Sequence, residues 1–385
     1  MWSGKSIKTK LTLLIGTFLF VCCNNDQEAI PHPLNHILNT SEEPAIRKVV
    51  DNIDHHELQI LYTRIDRAND KIRFSDFEFG LNDSAYFYPA STVKLPVAVL
   101  VLEKISQVDD LSLDTRFYVE GDTLETTIEK EVIKVFATSD NDANNRLFEF
   151  LGQDAINRGL GEKGIGPHRI AHRLSTKDAD DITTRPLIVY LNDSTTTQMG
   201  PIINESLASL ELENIQKGNG YLSGDELIEE PFDFSLKNYY PVSTQQEVMK
   251  RLIFPEQYKS EEIFSLGPKE RSILLEAMSS PPRKWGYAED EYYDSFGKFF
   301  IYGDSRSRMP ETVKIYNKVG YAYGTLTDCA YIQDKGKNIE FIVTATLLVN
   351  NNQVLNDDQY EYDSIGIPFL AALGREIHQF ELQRK

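Results

Sequence analysis

Hydrophobic and polar positions change their period along the chain, and the changes divide it into three parts. A short helical pattern and two strand-like runs come first, a middle with helical periodicity follows, and a strand meander with one amphipathic helix ends the chain. The predicted strands cover 57–65, 71–79, 313–319, 325–333 and 339–349, and the predicted helices cover 42–52, 129–136, 144–151, 244–253, 268–278 and 365–380. This order predicts an α+β fold, with an antiparallel sheet built from both chain ends and a mainly helical lobe between them.

Residues 1–23 have the pattern of an export signal. Lysines precede an apolar run over 11–21, which is too short to cross a bilayer comfortably. The run ends at Cys22 and Cys23 and resembles a bacterial lipoprotein signal, in which a cysteine is lipidated. We therefore expect an exported protein of the periplasm or cell envelope, anchored by lipid on Cys22 or Cys23. Plain secretion and an uncleaved anchor remain alternatives.

The remaining chain divides into a predicted tether and a domain. Residues 24–41 are polar and interrupted by prolines, which is typical of a tether. Residues 42–385 are expected to form the folded domain. Its stretch from about 192 to 240 is irregular and acidic and is interpreted as an insertion.

The acidic composition narrows the possible partners. The chain has 59 acidic and 40 basic residues and a formal net charge of −19, which argues against binding nucleic acid through its phosphates. Its seven histidines lack the spacing of a zinc site, so we expect no metal and no other cofactor. Cys329 lies in an apolar strand pattern and is expected to be a buried, unreactive thiol.

Candidate chemistry centres on Ser91 and Lys94. A turn-prone Pro-Ala pair precedes Ser91 and an apolar run follows Lys94, which predicts that both lie on one face of a buried helix near its start. A lysine desolvated by such a helix can lose its proton and activate a serine hydroxyl. The same spacing recurs at Ser295 and Lys298, in a Gly- and Tyr-rich segment without helical periodicity, so spacing alone does not decide the matter.

Two further motifs follow in order, Ser139-Asp140-Asn141 and Lys318-Val319-Gly320. Together with the pair at 91 and 94, this set resembles the serine β-lactamase-like family, on its class A side, over about residues 42–380. The resemblance implies that Ser91 is acylated, with Lys94 as its general base or proton relay.

The resemblance also implies roles for the other two motifs. Ser139 would pass a proton to the leaving nitrogen, Asn141 would hydrogen-bond the substrate amide, and Asp140 would be structural. Lys318 would supply positive potential to a substrate carboxylate, and Gly320 and Tyr321 would continue the substrate-binding strand. The backbone N–H groups of Ser91 and Tyr321 would form the oxyanion hole.

The chain departs from the family pattern in ways that concern substrate binding and release. Val319 replaces a usual hydroxyl residue, and no arginine occurs from 321 to 332. The family's Glu-x-x-Leu-Asn loop pattern is missing, and the region 172–181 offers only Asp178 and Asp180 as weak candidates for positioning a water.

We therefore expect an exported serine hydrolase that cleaves a β-lactam or a related small-molecule or peptide amide. Two alternatives stay open. The first is a cell-wall peptidase or esterase, and the second is a β-lactam-binding sensor that stays acylated.

Overall fold

The computed structural model describes residues 1, 2, 4, 32–69 and 71–384. The chain separates into two compact units, residues 1–31 and 32–385, and the helices and strands of the described residues lie in the second. The predicted signal, with Cys22 and Cys23, lies outside the described residues, so the lipid anchor stays a prediction. Where residues are described, no helix is both long and apolar enough to cross a membrane.

Helices and short strands surround one large sheet. The helices are α1 (Pro33–Thr40), α2 (Pro44–Val50), α3 (Lys94–Ile105), α4 (Ile128–Ala137), α5 (Asn141–Glu149), α6 (Gly152–Glu162), α7 (Val242–Ile253), α8 (Pro268–Ser279) and α9 (Ile367–Gln383). The strands are β1 (Gln59–Ala68), β2 (Lys71–Phe79), β3 (Arg116–Val119), β4 (Thr126–Thr127), β5 (Leu187–Asn192), β6 (Thr195–Met199), β7 (Gln216–Lys217), β8 (Gly220–Ser223), β9 (Glu226–Ile228), β10 (Phe232–Asp233), β11 (Val313–Ala322), β12 (Thr325–Asp334), β13 (Ile339–Leu348) and β14 (Val354–Leu355).

The central sheet joins the two ends of the domain. Its strand order is β11-β12-β13-β1-β2, and every neighbouring pair is antiparallel. Both faces are covered, because Ile342 packs in the same core as α7 while its neighbours Phe341 and Val343 pack in the core that contains α9. The predicted α+β fold, with a sheet built from both chain ends, is confirmed.

The helical lobe packs on the α7 side of the sheet. Thr127 accepts a hydrogen bond from the Lys130 N–H at the start of α4, and Asp140 caps α5 by accepting one from the Ala143 N–H at 2.7 Å. Helix α3 lies buried between α5 and α6. The lobe thus holds the Ser91 and Ser139 motifs next to each other.

Two helices were not predicted from the sequence. Residues 33–40 were assigned to the tether but form α1, whose Leu34, Ile37 and Leu38 are buried against the α9 side of the sheet. Helix α6 was missed because glycines interrupt its apolar pattern. A Cβ at Gly159 would lie 2.9 Å from Leu100 Cδ2, so that glycine allows α6 to approach α3 closely.

Residues 192–240 contain short strands as well as irregular stretches. Strand β6 pairs with β5, while β7 to β10 form small two- and three-stranded sheets, one of which includes β14. Phe234 is buried in an apolar cluster with Tyr86 and Tyr88, and these two tyrosines come directly before the Ser91 turn in the sequence. The segment therefore packs beside the candidate site.

Candidate active site

Ser91 lies on a tight turn that leads into α3. Residues Ala90–Val93 form a 3-10 turn, and the α-helix begins at Lys94. Ala90 has a φ of +47°, a left-handed conformation that is uncommon for a residue with a side chain. The Thr92 hydroxyl braces the turn by donating to the Pro89 carbonyl at 2.7 Å. Ser91 is thereby presented at the start of a buried helix and lines a cavity.

Two lysines converge on the hydroxyl of Ser139. The Lys318 Nζ lies 2.8 Å from Ser139 Oγ, and the Lys94 Nζ lies 3.3 Å from the same atom. Lys94 also donates to Asn141 Oδ1 at 2.6 Å and to the Ser139 carbonyl. Ser139 has a φ of +56°, again left-handed. The structure thus brings together one residue or more from each of the three motifs.

Both lysines are held in a desolvated environment. Lys94 is fully buried, and burial lowers its pKa to about 7, although the negative charges of Asp140 and Asp142 act in the opposite direction. Burial also lowers the pKa of Lys318 well below its usual value, and repulsion from Lys94 adds to this. Burial thus favours the neutral form of Lys94, which is able to accept a proton.

Gly320 lets strand β11 approach the Ser91 turn. A Cβ at position 320 would lie 2.5 Å from the Pro89 carbonyl oxygen and 2.8 Å from the Ser91 nitrogen, closer than real Cβ contacts. No residue with a side chain fits here without movement of the backbone. The strand then continues to Tyr321, whose exposed side chain lines the cavity. The oxyanion hole expected from the N–H groups of Ser91 and Tyr321 stays a prediction.

Asn141 connects the lysine cluster to the loop 172–181. Its side-chain oxygen accepts from Lys94, and its Nδ2 donates to Ser175 Oγ at 3.0 Å. Ser175 has a φ of +51°. Sequence reasoning missed Ser175, because a single serine in a polar loop has no pattern to distinguish it. The expected contact between Asn141 and a substrate amide stays a prediction.

A buried ion pair anchors this loop. The Arg173 guanidinium binds both carboxylate oxygens of Glu149 at 2.8 and 2.9 Å, and both side chains are almost completely buried. Arg173 also donates to the carbonyls of Asp181 and Thr183, at 2.9 and 3.0 Å. Such bidentate pairs fix geometry strongly. The loop therefore has a defined position above the site.

The two loop aspartates are engaged elsewhere. Asp178 accepts a hydrogen bond from the Thr176 hydroxyl, and this bond is the main reason its pKa lies below the usual value. Asp180 forms an ion pair with Lys237 at 3.1 Å. In the described part of the chain, neither carboxylate hydrogen-bonds to the cluster of Lys94 and Ser139. The loop group that reaches this cluster is the Ser175 hydroxyl, through Asn141.

A cavity of about 710 Å³ opens over the site. Ser91, Asn141 and Ser175 line it, together with His172 and Lys237. Its most frequent lining residue is tyrosine, at Tyr88, Tyr321, Tyr323, Tyr360 and Tyr362. Apart from Tyr321, these tyrosines were not predicted as site residues, because they come from segments far apart in sequence.

Aromatic residues of the 192–240 segment support this cavity wall. The ring centroid of Phe234 lies 5.7 Å from that of Tyr88 and 5.2 Å from that of Tyr323. Phe232 stacks on Tyr323 at 5.5 Å. Tyr323 also lines a second cavity of about 440 Å³. The segment therefore supports part of the wall of the cavity that Ser91 lines.

Sequence comparison agrees with the first two motifs. Residues 45–201 match the model of a family described as the "Beta-lactamase enzyme family". The match includes Ser91, Lys94, Ser139 and Asn141, and it ends before Lys318. The resemblance to the serine β-lactamase-like family is confirmed. No curated protein sequence matches the chain significantly.

The fold is shared with one solved structure, and two others are similar to the chain. A class A β-lactamase from Bacteroides cellulosilyticus DSM 14838 is 12% identical with a TM-score of 0.50, and the alignment covers 87% of this chain and 96% of that one. A class A β-lactamase from Mycobacterium abscessus is 16% identical with a TM-score of 0.49, covering 87% and 98%. A β-lactamase from Streptomyces albus G is 13% identical with a TM-score of 0.48, covering 86% and 98%. At such identities the likeness concerns the fold alone.

The described residues contain no group of three or more His, Cys, Asp and Glu side chains placed to hold a metal ion. Cys329 is buried, as expected, and burial raises its thiol pKa to about 12, so the thiol is protonated and unreactive at neutral pH.

Proposed function

We propose that the protein is a serine hydrolase that attacks a β-lactam or a related amide through Ser91 and forms an acyl-enzyme. The observation that carries the proposal is the convergence of Lys94 and Lys318 on the Ser139 hydroxyl. Asn141, which binds Lys94, lines a cavity together with Ser91. A buried, partly neutral lysine supplies the base that a serine hydroxyl needs. The second lysine supplies the positive charge that a substrate carboxylate needs.

In the acylation step, Lys94 and Ser139 together pass the Ser91 proton to the leaving nitrogen. Neutral Lys94 takes the Ser91 proton as the oxygen attacks the carbonyl carbon, and the N–H groups of Ser91 and Tyr321 stabilise the oxyanion. The carbon–nitrogen bond then breaks, and the Ser139 hydroxyl gives its proton to the leaving nitrogen. Ser139 regains a proton from Lys94, which returns that lysine to its neutral form.

Release of the acyl group has less support in the site. Hydrolysis needs a base next to a water, and Asp178 and Asp180 are bound to Thr176 and Lys237 instead. The Ser175 hydroxyl, which reaches Asn141, is a poor base at neutral pH. This arrangement favours slow turnover, and it supports the second candidate function, a β-lactam sensor that remains acylated.

Intact mass spectrometry with a reporter penicillin tests the proposal. The wild-type protein is expected to gain one covalent adduct, and Ser91→Ala is expected to gain none. Ser295→Ala is the matched control, because Ser295 has the same Ser-x-x-Lys spacing but donates its hydroxyl to the Ser305 carbonyl. Loss of the adduct within minutes indicates a hydrolase, and persistence for hours indicates a sensor or a slow enzyme.

A panel of amides and esters, including cell-wall peptides, tests the alternative that the protein is a peptidase or esterase. Turnover of a peptide or ester that Ser91→Ala abolishes would assign the protein to the peptidase or esterase class. If no adduct forms and no substrate in the panel shows turnover that depends on Ser91, the catalytic proposal is wrong.

We also propose that the protein is exported and anchored by lipid. The support is the sequence pattern ending at Cys22 and Cys23. Metabolic labelling with a fatty-acid probe is expected to mark the wild-type protein and not a variant with both cysteines changed to serine. Labelling that persists in that variant would refute the anchor.

A further inference from the structure

The lysine of the second Ser-x-x-Lys sequence lies buried beneath the site. Lys298 Nζ donates to the carbonyls of Met278 and Ile315, at 2.8 and 3.0 Å, and to Asn317 Oδ1 at 3.0 Å. An ammonium group has three N–H donors, so all of them are satisfied. Lys298 is therefore a buried cation with a complete set of partners, and the acylation mechanism above makes no use of it.

A buried carboxylate completes the same network. Asp328 is fully buried on β12, and its Oδ1 accepts from Asn317 Nδ2 at 2.8 Å. Its other oxygen accepts from the Phe299 N–H at 3.0 Å. The Asn317 amide thus bridges Lys298 and Asp328, and Asn317 directly precedes Lys318 on β11. The network is therefore attached to the residue next to Lys318 on the strand.

The charges around Lys318 come from three directions. Lys94 and Lys318 reach the same Ser139 hydroxyl, and Lys298 binds the side chain of Asn317, the residue next to Lys318. Asp328 stands next to Cys329, which is the cross-strand partner of Lys318. Burial is the largest cause of its low pKa, the two neighbouring lysines lower the pKa further, and Asp328 raises it.

The flanking groups have charged neighbours of their own. The negative charges of Asp140, the cap of α5, and of Asp142 raise the pKa of Lys94, whereas Asp328 raises and Lys314 on β11 lowers the pKa of Lys298.

We propose that Lys298 and Asp328 are positioning residues that set, with opposite sign, how readily Lys318 carries its charge toward Ser139 and the substrate. Lys298 repels that charge, whereas Asp328 stabilises it. What the charge does for a substrate rests on the proposed function. The charge state of Lys318 itself is measurable without any substrate.

NMR titration of the full chain with ¹³Cε-labelled lysine tests this inference directly. The Lys318 signal is assigned by its loss in Lys318→Arg. We expect Lys298→Met to raise the pKa of Lys318 by about one pH unit and Asp328→Asn to lower it by a similar amount. Lys298→Arg keeps the positive charge and is the control, with an expected pKa close to wild type.

A purely structural role would not produce shifts of opposite sign. Unchanged titration of Lys318 in both Lys298→Met and Asp328→Asn, or shifts in the same direction, would overturn the proposal. If Lys298→Met does not fold, Lys298→Gln carries the test, because its amide NH2 keeps two N–H donors and the charge is removed. Circular dichroism and the thermal unfolding midpoint verify that each variant used is folded.

The pH profile of adduct formation gives a second readout. The alkaline limb, where Lys318 loses its charge, is expected to move to higher pH in Lys298→Met and to lower pH in Asp328→Asn. A wild-type protein that forms no adduct and turns over no substrate of the panel refutes the proposed function, whereas the NMR shifts then still decide the present inference. The two failures are therefore distinguishable.

Discussion

Replacing Gly320 by alanine tests the close approach between β11 and the Ser91 turn. The added Cβ would lie 2.5 Å from the Pro89 oxygen, 2.8 Å from the Ser91 nitrogen and 2.9 Å from the Thr92 nitrogen. All three are main-chain atoms, so no side chain can rotate away to make room. The strand and the turn must instead move apart.

The size of that movement follows from the shortest contact. Bringing it from 2.5 to 3.0 Å, the lower limit for real Cβ contacts, requires a separation of at least 0.5 Å. Overpacking of this kind destabilises a folded domain by about 1–3 kcal/mol. The same movement displaces the Ser91 N–H from that of Tyr321, and losing one oxyanion donor costs about 10²–10³ in rate. We expect acylation by a reporter penicillin to slow by about 10²-fold.

Rapid-mixing kinetics of adduct formation and urea unfolding measure the two effects. Gly161→Ala in α6 is the matched control, because a Cβ there meets nothing within 4 Å. In a helix, this change is expected to be neutral or to stabilise by up to about 1 kcal/mol, with acylation unchanged. Wild-type acylation and wild-type stability in Gly320→Ala would refute the reasoning.

Three further predictions concern the base, the loop and its anchor. Since only neutral Lys94 can take the nucleophile's proton, acylation should rise with pH through about 7; a rate that is flat from about pH 5 to 8 would contradict this. Ser175→Glu should place a carboxylate beside Asn141 that can activate a water. Mass spectrometry should then show adduct loss that is faster by about 10-fold or more than in the control Ser175→Gln. Equal decay in the two variants would contradict this prediction. Glu149→Gln should leave the Arg173 charge buried without its partner and destabilise by about 3–5 kcal/mol in urea unfolding; a loss below about 1 kcal/mol would contradict the anchoring role.

Periodic elements could be predicted from the sequence because their patterns are local. The alternation over 325–333 and 339–349 corresponds to β12 and β13, and the apolar run after Lys94 corresponds to α3. Helix α1 was hidden by its prolines and polar residues, since it is held by burial of Leu34 and Ile37 against the sheet rather than by helix propensity.

The site was predictable where its chemistry lies in short motifs. Ser91, Lys94 and Ser139 each stand in one, and their order suggested that they meet. The contact of Ser175 with Asn141 joins residues 34 positions apart and leaves no pattern in the sequence. Lys298 is the opposite case. The sequence does not single out its Ser-x-x-Lys motif as a nucleophile with its base, but in the structure this lysine is part of a buried charge network.

The side chain at position 323 affects how the cavities at this site can change in evolution. Its ring is shared by the cavity above Ser91 and by the neighbouring cavity, of about 710 and 440 Å³. A smaller side chain at 323 is expected to enlarge both spaces at the residue they share, and under the proposed function this leaves room for a longer acyl group. The substrate range of such an enzyme can therefore broaden through one aromatic position, independently of the machinery that breaks the bond.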